Sequence, residues 1–279
     1  MRYAARSRTI DPCALPANAA AAVPGLQLFY SAAAANPASS LLAPLGSFPA
    51  NGSAWFPYAP SSIFDVSNQT GTIQLRSPQP QLASLAGLFS VVNGQFTYLT
   101  AFPVLSSENA AGSGDAVVFS GVETSSAAST ALHVQETAGV AGTFTVDFFD
   151  EQGAAVQPSR SETIQPFGYA QLANVVPAGA RSARVSNTSS TAARLSGYAV
   201  VTDLATRDRW TITDSRRNGT ASPELFIPVP LLESAADGTF DVWVTNGSNA
   251  EANVTIATSS IGPPRRRAVR RGASSSLDA

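Results

Sequence analysis

One histidine, His133, stands in a chain rich in serine and aspartate, so any serine-histidine-aspartate relay would have to pass through it. It sits between Leu132 and Val134 in a run of alternating residues, which puts it on the strand face away from the core. No G-x-S-x-G elbow accompanies it, and the reading is an exposed strand-face residue. A sandwich-fold hydrolase built on His133 is the least favoured function. Cys13, the lone cysteine, would need that same histidine as its base, and by itself it forms neither an intrachain disulfide nor a multi-cysteine metal site.

Acidic chemistry is concentrated at Asp147, Asp150 and Glu151, a spacing at which carboxylates hold calcium. The same letters, DEQG at Asp150 to Gly153, are ordinary turn residues, and the turn is preferred to the metal site. Elsewhere the acids are dispersed, with no pair marked out for glycoside cleavage. Trp55, Phe56 and Tyr58 cluster in AWFPYAP and are the place for a sugar or peptide platform, against the plainer reading of a small core under an inserted loop. No cofactor is expected.

All 17 basic residues are arginine. That bias reads as GC-rich bacterial coding. Five arginines (Arg265, Arg266, Arg267, Arg270 and Arg271) lie near the end, and setting that tail aside leaves 12 arginines against 18 acids. A net acidic body lacks the electrostatic footprint of a nucleic-acid binder. No stretch reaches the roughly 20 apolar residues of a spanning helix, so no transmembrane segment is expected.

The elements that must position these residues are short alternating runs bounded by glycine, asparagine, serine and proline, which is the strand signature. In TFTVDFF, Phe144, Val146 and Phe148 face a core while Thr143, Thr145 and Asp147 face water. Phe240, Val242 and Val244 alternate likewise before Asn246 and Gly247, a hairpin signal. No amphipathic helix of three turns stands out. The class is all-β.

The pattern also recurs. Residues 115 to 146 lie over 225 to 256, and residues 72 to 93 over 182 to 203, both at a shift of 110, with Leu85 on Leu195, Gly87 on Gly197 and Val91 on Val201. A third pairing, SFPANGS with TIQPFGY, needs a shift near 116, which an insertion such as PYAPSSIFDV explains. This predicts antiparallel sandwich units of about seven strands, drawn for the full copy near 116–120, 131–136, 143–149, 162–172, 181–186, 194–202 and 209–213. The organisation expected is an unpatterned segment at 1–22, an incomplete repeat at 23–112, a whole repeat at 113–222, opening strands of a further repeat at 223–260 (or the remainder of a permuted second unit), and an arginine-rich disordered tail at 261–279.

The succession FIPVPLL, FDVWVTNGSNAEANVTI, VDFFDEQGAAV, IQPFGYAQL, SARVSN and GYAVVTD resembles the tandem immunoglobulin-like repeats of large bacterial secreted and surface proteins. The likeness covers about 23 to 260 and is one of texture; no functional residue is carried over, and the paired cysteines of antibody domains are missing. It implies an extracellular or cell-surface spacer, stalk or adhesion module, with a glycan or surface protein as partner. The alternative is a carbohydrate- or peptide-binding module appended to a secreted enzyme. Open strand edges further suggest weak self-association.

Overall fold

The computed structural model describes residues 9–13, 23–32, 41–48, 59–66, 71–76, 85–92, 95–102, 104–216, 242–246, 252–256, 265–269 and 274–277. Nearly everything in them is antiparallel strand. The longest continuous stretch, 104–216, opens with a 3-10 turn at Ser107–Asn109 and then lays down β7 (Ala116–Ser120), β8 (Ala128–Glu136), β9 (Gly142–Phe149), β10 (Arg160–Ile164), β11 (Tyr169–Leu172), β12 (Ser182–Asn187), β13 (Leu195–Asp203) and β14 (Arg209–Thr213). Two four-stranded sheets result, in the orders β10-β9-β12-β7 and β11-β8-β13-β14.

Side-chain alternation explains why these sheets face each other. Phe144, Val146 and Phe148 point inward from β9, and meet Val117 and Phe119 of β7, Val185 of β12, Leu132 and Val134 of β8, and Leu195 and Ala199 of β13. All of them are buried. Burying a large apolar side chain of this kind stabilises the fold by about 1.5–3 kcal/mol. Gly197 on β13 is required by this packing, because a Cβ there would lie 2.7 Å from the His133 carbonyl oxygen and 3.1 Å from the Phe119 ring.

The stretch read as one strand over 162–172 is two. Pro166 supplies no N–H, Phe167 takes a positive φ of 51°, and the Gly168 N–H bonds the Gln165 carbonyl at 2.7 Å. At that turn the chain leaves one sheet and enters the other, giving eight strands in place of about seven. The strand order also differs from the immunoglobulin arrangement, in which the first two strands are neighbours. Here β7 and β8 lie in different sheets.

One sheet edge is closed locally. Asp214 accepts from the Val118 N–H at 3.0 Å, the Ser215 N–H donates to the Val118 carbonyl at 2.8 Å, and Arg216 bonds the Ala116 carbonyl at 2.7 Å while pairing with Asp115 at 2.5 Å. The polar segment after β14 therefore occupies the free edge of β7, a common way to blunt an edge strand.

Residues 9–102 hold two three-stranded sheets. Strands β1 (Thr9–Cys13), β5 (Leu85–Val92) and β6 (Gln95–Phe102) run in the order β1-β5-β6, and β2 (Val23–Ala32), β3 (Leu41–Phe48) and β4 (Gly71–Arg76) in the order β3-β2-β4. A short helix, α1 (Ala59–Phe64), lies against β1 and β3. Its Phe64 meets Tyr30 of β2 with ring centroids 5.8 Å apart, and Leu28, Tyr30, Phe64 and Val66 form a small core. The segment read as unpatterned thus contributes β1.

Beyond residue 241, β15 (Val242–Thr245) pairs with β18 (Ser274–Leu277), and β16 (Ala252–Ile256) pairs with β17 (Arg265–Val269). Arg265, Arg266 and Arg267, in the stretch read as a disordered tail, belong to β17. Among the described residues no helix is long and apolar enough to cross a membrane.

Candidate functional site

His133 faces away from the inter-sheet core, as its neighbours Leu132 and Val134 require, yet it is not exposed. Only 8% of its surface meets solvent. On the same outward face Ser196 and Val200 of β13 are buried too. An exposed strand-face position is therefore corrected to an enclosed one, and the rings of Tyr198 and Tyr169 on the flanking strands of the same sheet lie against the imidazole. Residues 9–102 reach this sheet beside it: β6 lies against β14, and the Thr72 hydroxyl of β4 donates to the Gln135 side-chain carbonyl of β8.

Within that enclosure the side chains form a relay of hydroxyls. The His133 ring stacks on Tyr198, its cross-strand neighbour in β13, with centroids 4.6 Å apart and 6° between planes. Tyr198 and Tyr169 share a hydrogen bond, and the Tyr169 hydroxyl is in turn hydrogen-bonded to His133 Nδ1. Burial pushes both phenols up, so they stay protonated donors. Burial, with the Arg209 charge added, pushes His133 down to about 4. At neutral pH the imidazole is neutral, with Nδ1 engaged by Tyr169.

The hydrogen-bond partner of His133 Nδ1 is a phenol, and the charge acting on the ring is the cation of Arg209, where a nucleophile relay uses a carboxylate to orient the imidazole. A stacked, neutral ring fits a packed joint.

Glu136, three residues along the same strand, is the feature that sequence reading missed. Its side chain is fully buried on the inner side, at the end of the sandwich. Oε1 accepts from the N–H groups of Ala138 at 2.7 Å and Arg194 at 3.1 Å; Oε2 accepts from Gly139 at 2.7 Å, Val140 at 3.1 Å and Phe167 at 3.0 Å. One carboxylate thereby ties together the β8–β9 turn, the Gln165–Gly168 turn and the start of β13. Gly139 is needed here: its φ is 75°, and a Cβ would collide with the Phe167 ring at 2.6 Å. A glutamate two to four residues ahead of a glycine turn was the available signal.

The three acids weighed as a cation site do separate jobs. Asp147 accepts from the Ser159 hydroxyl. Asp150 Oδ1 accepts from the N–H groups of Gln152 at 2.9 Å and Ala154 at 2.8 Å, which is the turn role. Glu151 lies 3.8 Å from Arg181. Among the described residues no group of three metal-ligating side chains is assembled. Trp55, Phe56 and Tyr58 lie outside the described residues, and of Cys13 only the backbone, paired with Leu85, is described. No family model, curated protein or solved structure matches the chain.

Proposed function

We propose that this chain is a non-catalytic spacer or adhesion module, built of repeated β-sandwich units, of a secreted or cell-surface bacterial protein. The observation that carries the reading is a strand order that occurs twice. If β1, β2, β3, β4, β5 and β6 are set on β8, β9, β10, β12, β13 and β14, the order β3-β2-β4 becomes β10-β9-β12, and β1-β5-β6 becomes β8-β13-β14. This correspondence sets Leu85 on Leu195, as the 110-residue shift does, and the two leucines pair with Cys13 and Glu136, the last residues of β1 and β8. Helix α1 stands between β3 and β4 where β11 stands between β10 and β12, and it touches β1 as β11 touches β8. It lies in the insertion that displaced the third pairing.

The likeness to bacterial immunoglobulin-like repeats supports a surface location and a glycan or surface protein as the contact, with a strand order of its own. The neutral, occupied imidazole of His133 and the turn-making carboxylates of Glu136 and Asp150 support a holding role. The expected result of assays on ester, peptide and glycoside substrates is no turnover. An activity that disappears in His133→Ala while the fold is retained would replace this reading with a hydrolase.

A further inference from the structure

A sandwich normally leaves its outward faces wet, and the outward face of β11-β8-β13-β14 departs from that. His133, Ser196 and Val200 are enclosed there, and residues 9–102 make named contacts beside them. Arg76, the last residue of β4, places its guanidinium over two rings at once: Phe29 of β2 at 4.2 Å from the centroid, and Phe167 of the Gln165–Gly168 turn at 5.0 Å. One ring belongs to each half of the molecule, so the cation joins them by attraction to two π faces. Thr72, four residues earlier on β4, adds its hydrogen bond to Gln135.

The receiving side is rigid before the arginine arrives. The Phe167 N–H is held by Glu136, its carbonyl accepts from the Gln135 side chain at 2.9 Å, and its ring packs over Gly139. The donor side is also fixed, since Arg76 pairs across the ladder with Gln27 and its guanidinium bonds Gln74 at 3.0 Å. Both partners are set by their own sheets, so little ordering remains to oppose the contact.

We infer that the outward face of β8 at Gln135, with the neighbouring Gln165–Gly168 turn, is a docking surface for the preceding unit, and that Arg76, clasped between Phe29 and Phe167, makes residues 9–102 and 104–216 move as one body. A linker of loose residues would give a flexible chain of beads. This joint gives a stiff pair whose reach is set by geometry. It is also particular to this junction: at a shift of 110 the positions of Thr72 and Arg76 fall on Ser182 and Ser186, which supply no cation. The inference rests on the spacer reading for its use and on the contacts alone for its geometry.

Spin labels at two exposed positions, Leu42 in one half and Ala154 in the other, introduced as cysteines in a Cys13→Ser background, read the separation by pulsed electron resonance. A single narrow distance distribution is expected for the otherwise unsubstituted chain. Arg76→Ala should broaden it, Thr72→Val should broaden it less, and a control pair at Ala154 and Asp208 should not move in either variant. A broad distribution before any substitution, or one that Arg76→Ala leaves narrow, overturns the joint and leaves the spacer role standing. Hydrolytic turnover through His133 would remove the spacer role without altering these distances.

Discussion

The two faces of strand β8 differ: the inward one is buried throughout, the outward one is half-buried with His133 enclosed, and the two are covered by different chemistry. Inward, Leu132 and Val134 meet phenylalanines and valines of the opposite sheet; outward, His133 and Gln135 meet tyrosine rings, hydroxyls and an amide-to-threonine bond. The inner face works by removing apolar area from water and tolerates no loss of volume. The outer face works by matched donors and acceptors, which cost free energy when left unpaired. One face closes the core between the two four-stranded sheets, and the other carries the contact with Thr72 of β4.

The largest effect expected is at the end of the inner face. Glu136→Ala removes the buried carboxylate that accepts from five backbone N–H groups and ties three turns together, and should cost about 3 kcal/mol or more in urea denaturation. Glu136→Gln should recover only part of this, because an amide presents a donor where the site supplies donors. A loss below 1 kcal/mol in both variants would show that the turns hold themselves.

Next comes the core proper. Phe144→Ala should destabilise by about 3–5 kcal/mol through lost burial and the cavity left behind. A matched cut separates the faces: Val200→Ala on the outer face, where the side chain is 9% exposed, should cost less than Val146→Ala on the fully buried inner face. Equal losses would erase the distinction between the faces.

Third is a pH dependence confined to the outer face. The folded chain refuses a proton at His133 until about pH 4, whereas the unfolded chain takes it up below about pH 6.5. The stabilisation is fully present above the unfolded value and is lost as pH falls from about 6.5 to 4, by about 3 kcal/mol. The difference between the parent chain and His133→Asn, followed by denaturation across that window, isolates this part from carboxylate titration. Parallel curves would mean that His133 is open to water.

How much of this was legible in the sequence depends on how far apart the causes lie. Strands whose faces are set by local alternation, such as Thr143 to Phe149, could be read directly, and so could the direction of His133 from Leu132 and Val134. Its burial could not, because the Tyr169 and Tyr198 rings reach it from strands later in the chain, and alternation carries no record of what lies on the second face. Glu136 was hidden for the same reason: three of its donors are local, but Phe167 and Arg194 come from distant turns. The break at Phe167 was missed because an alternating run continues on both sides of it. The acids at Asp150 and Glu151 were readable as turn residues, since an Asx turn is closed within five residues.

The most direct test of the repeated-unit account is stretching single molecules from their two ends. Separate cores should give unfolding events of about 350–400 Å each, the length released by roughly 100–110 residues at about 3.5 Å per residue, with Glu136→Ala lowering the force of one event and sparing the other. A single event releasing both lengths together, weakened as a whole by Glu136→Ala, would contradict it.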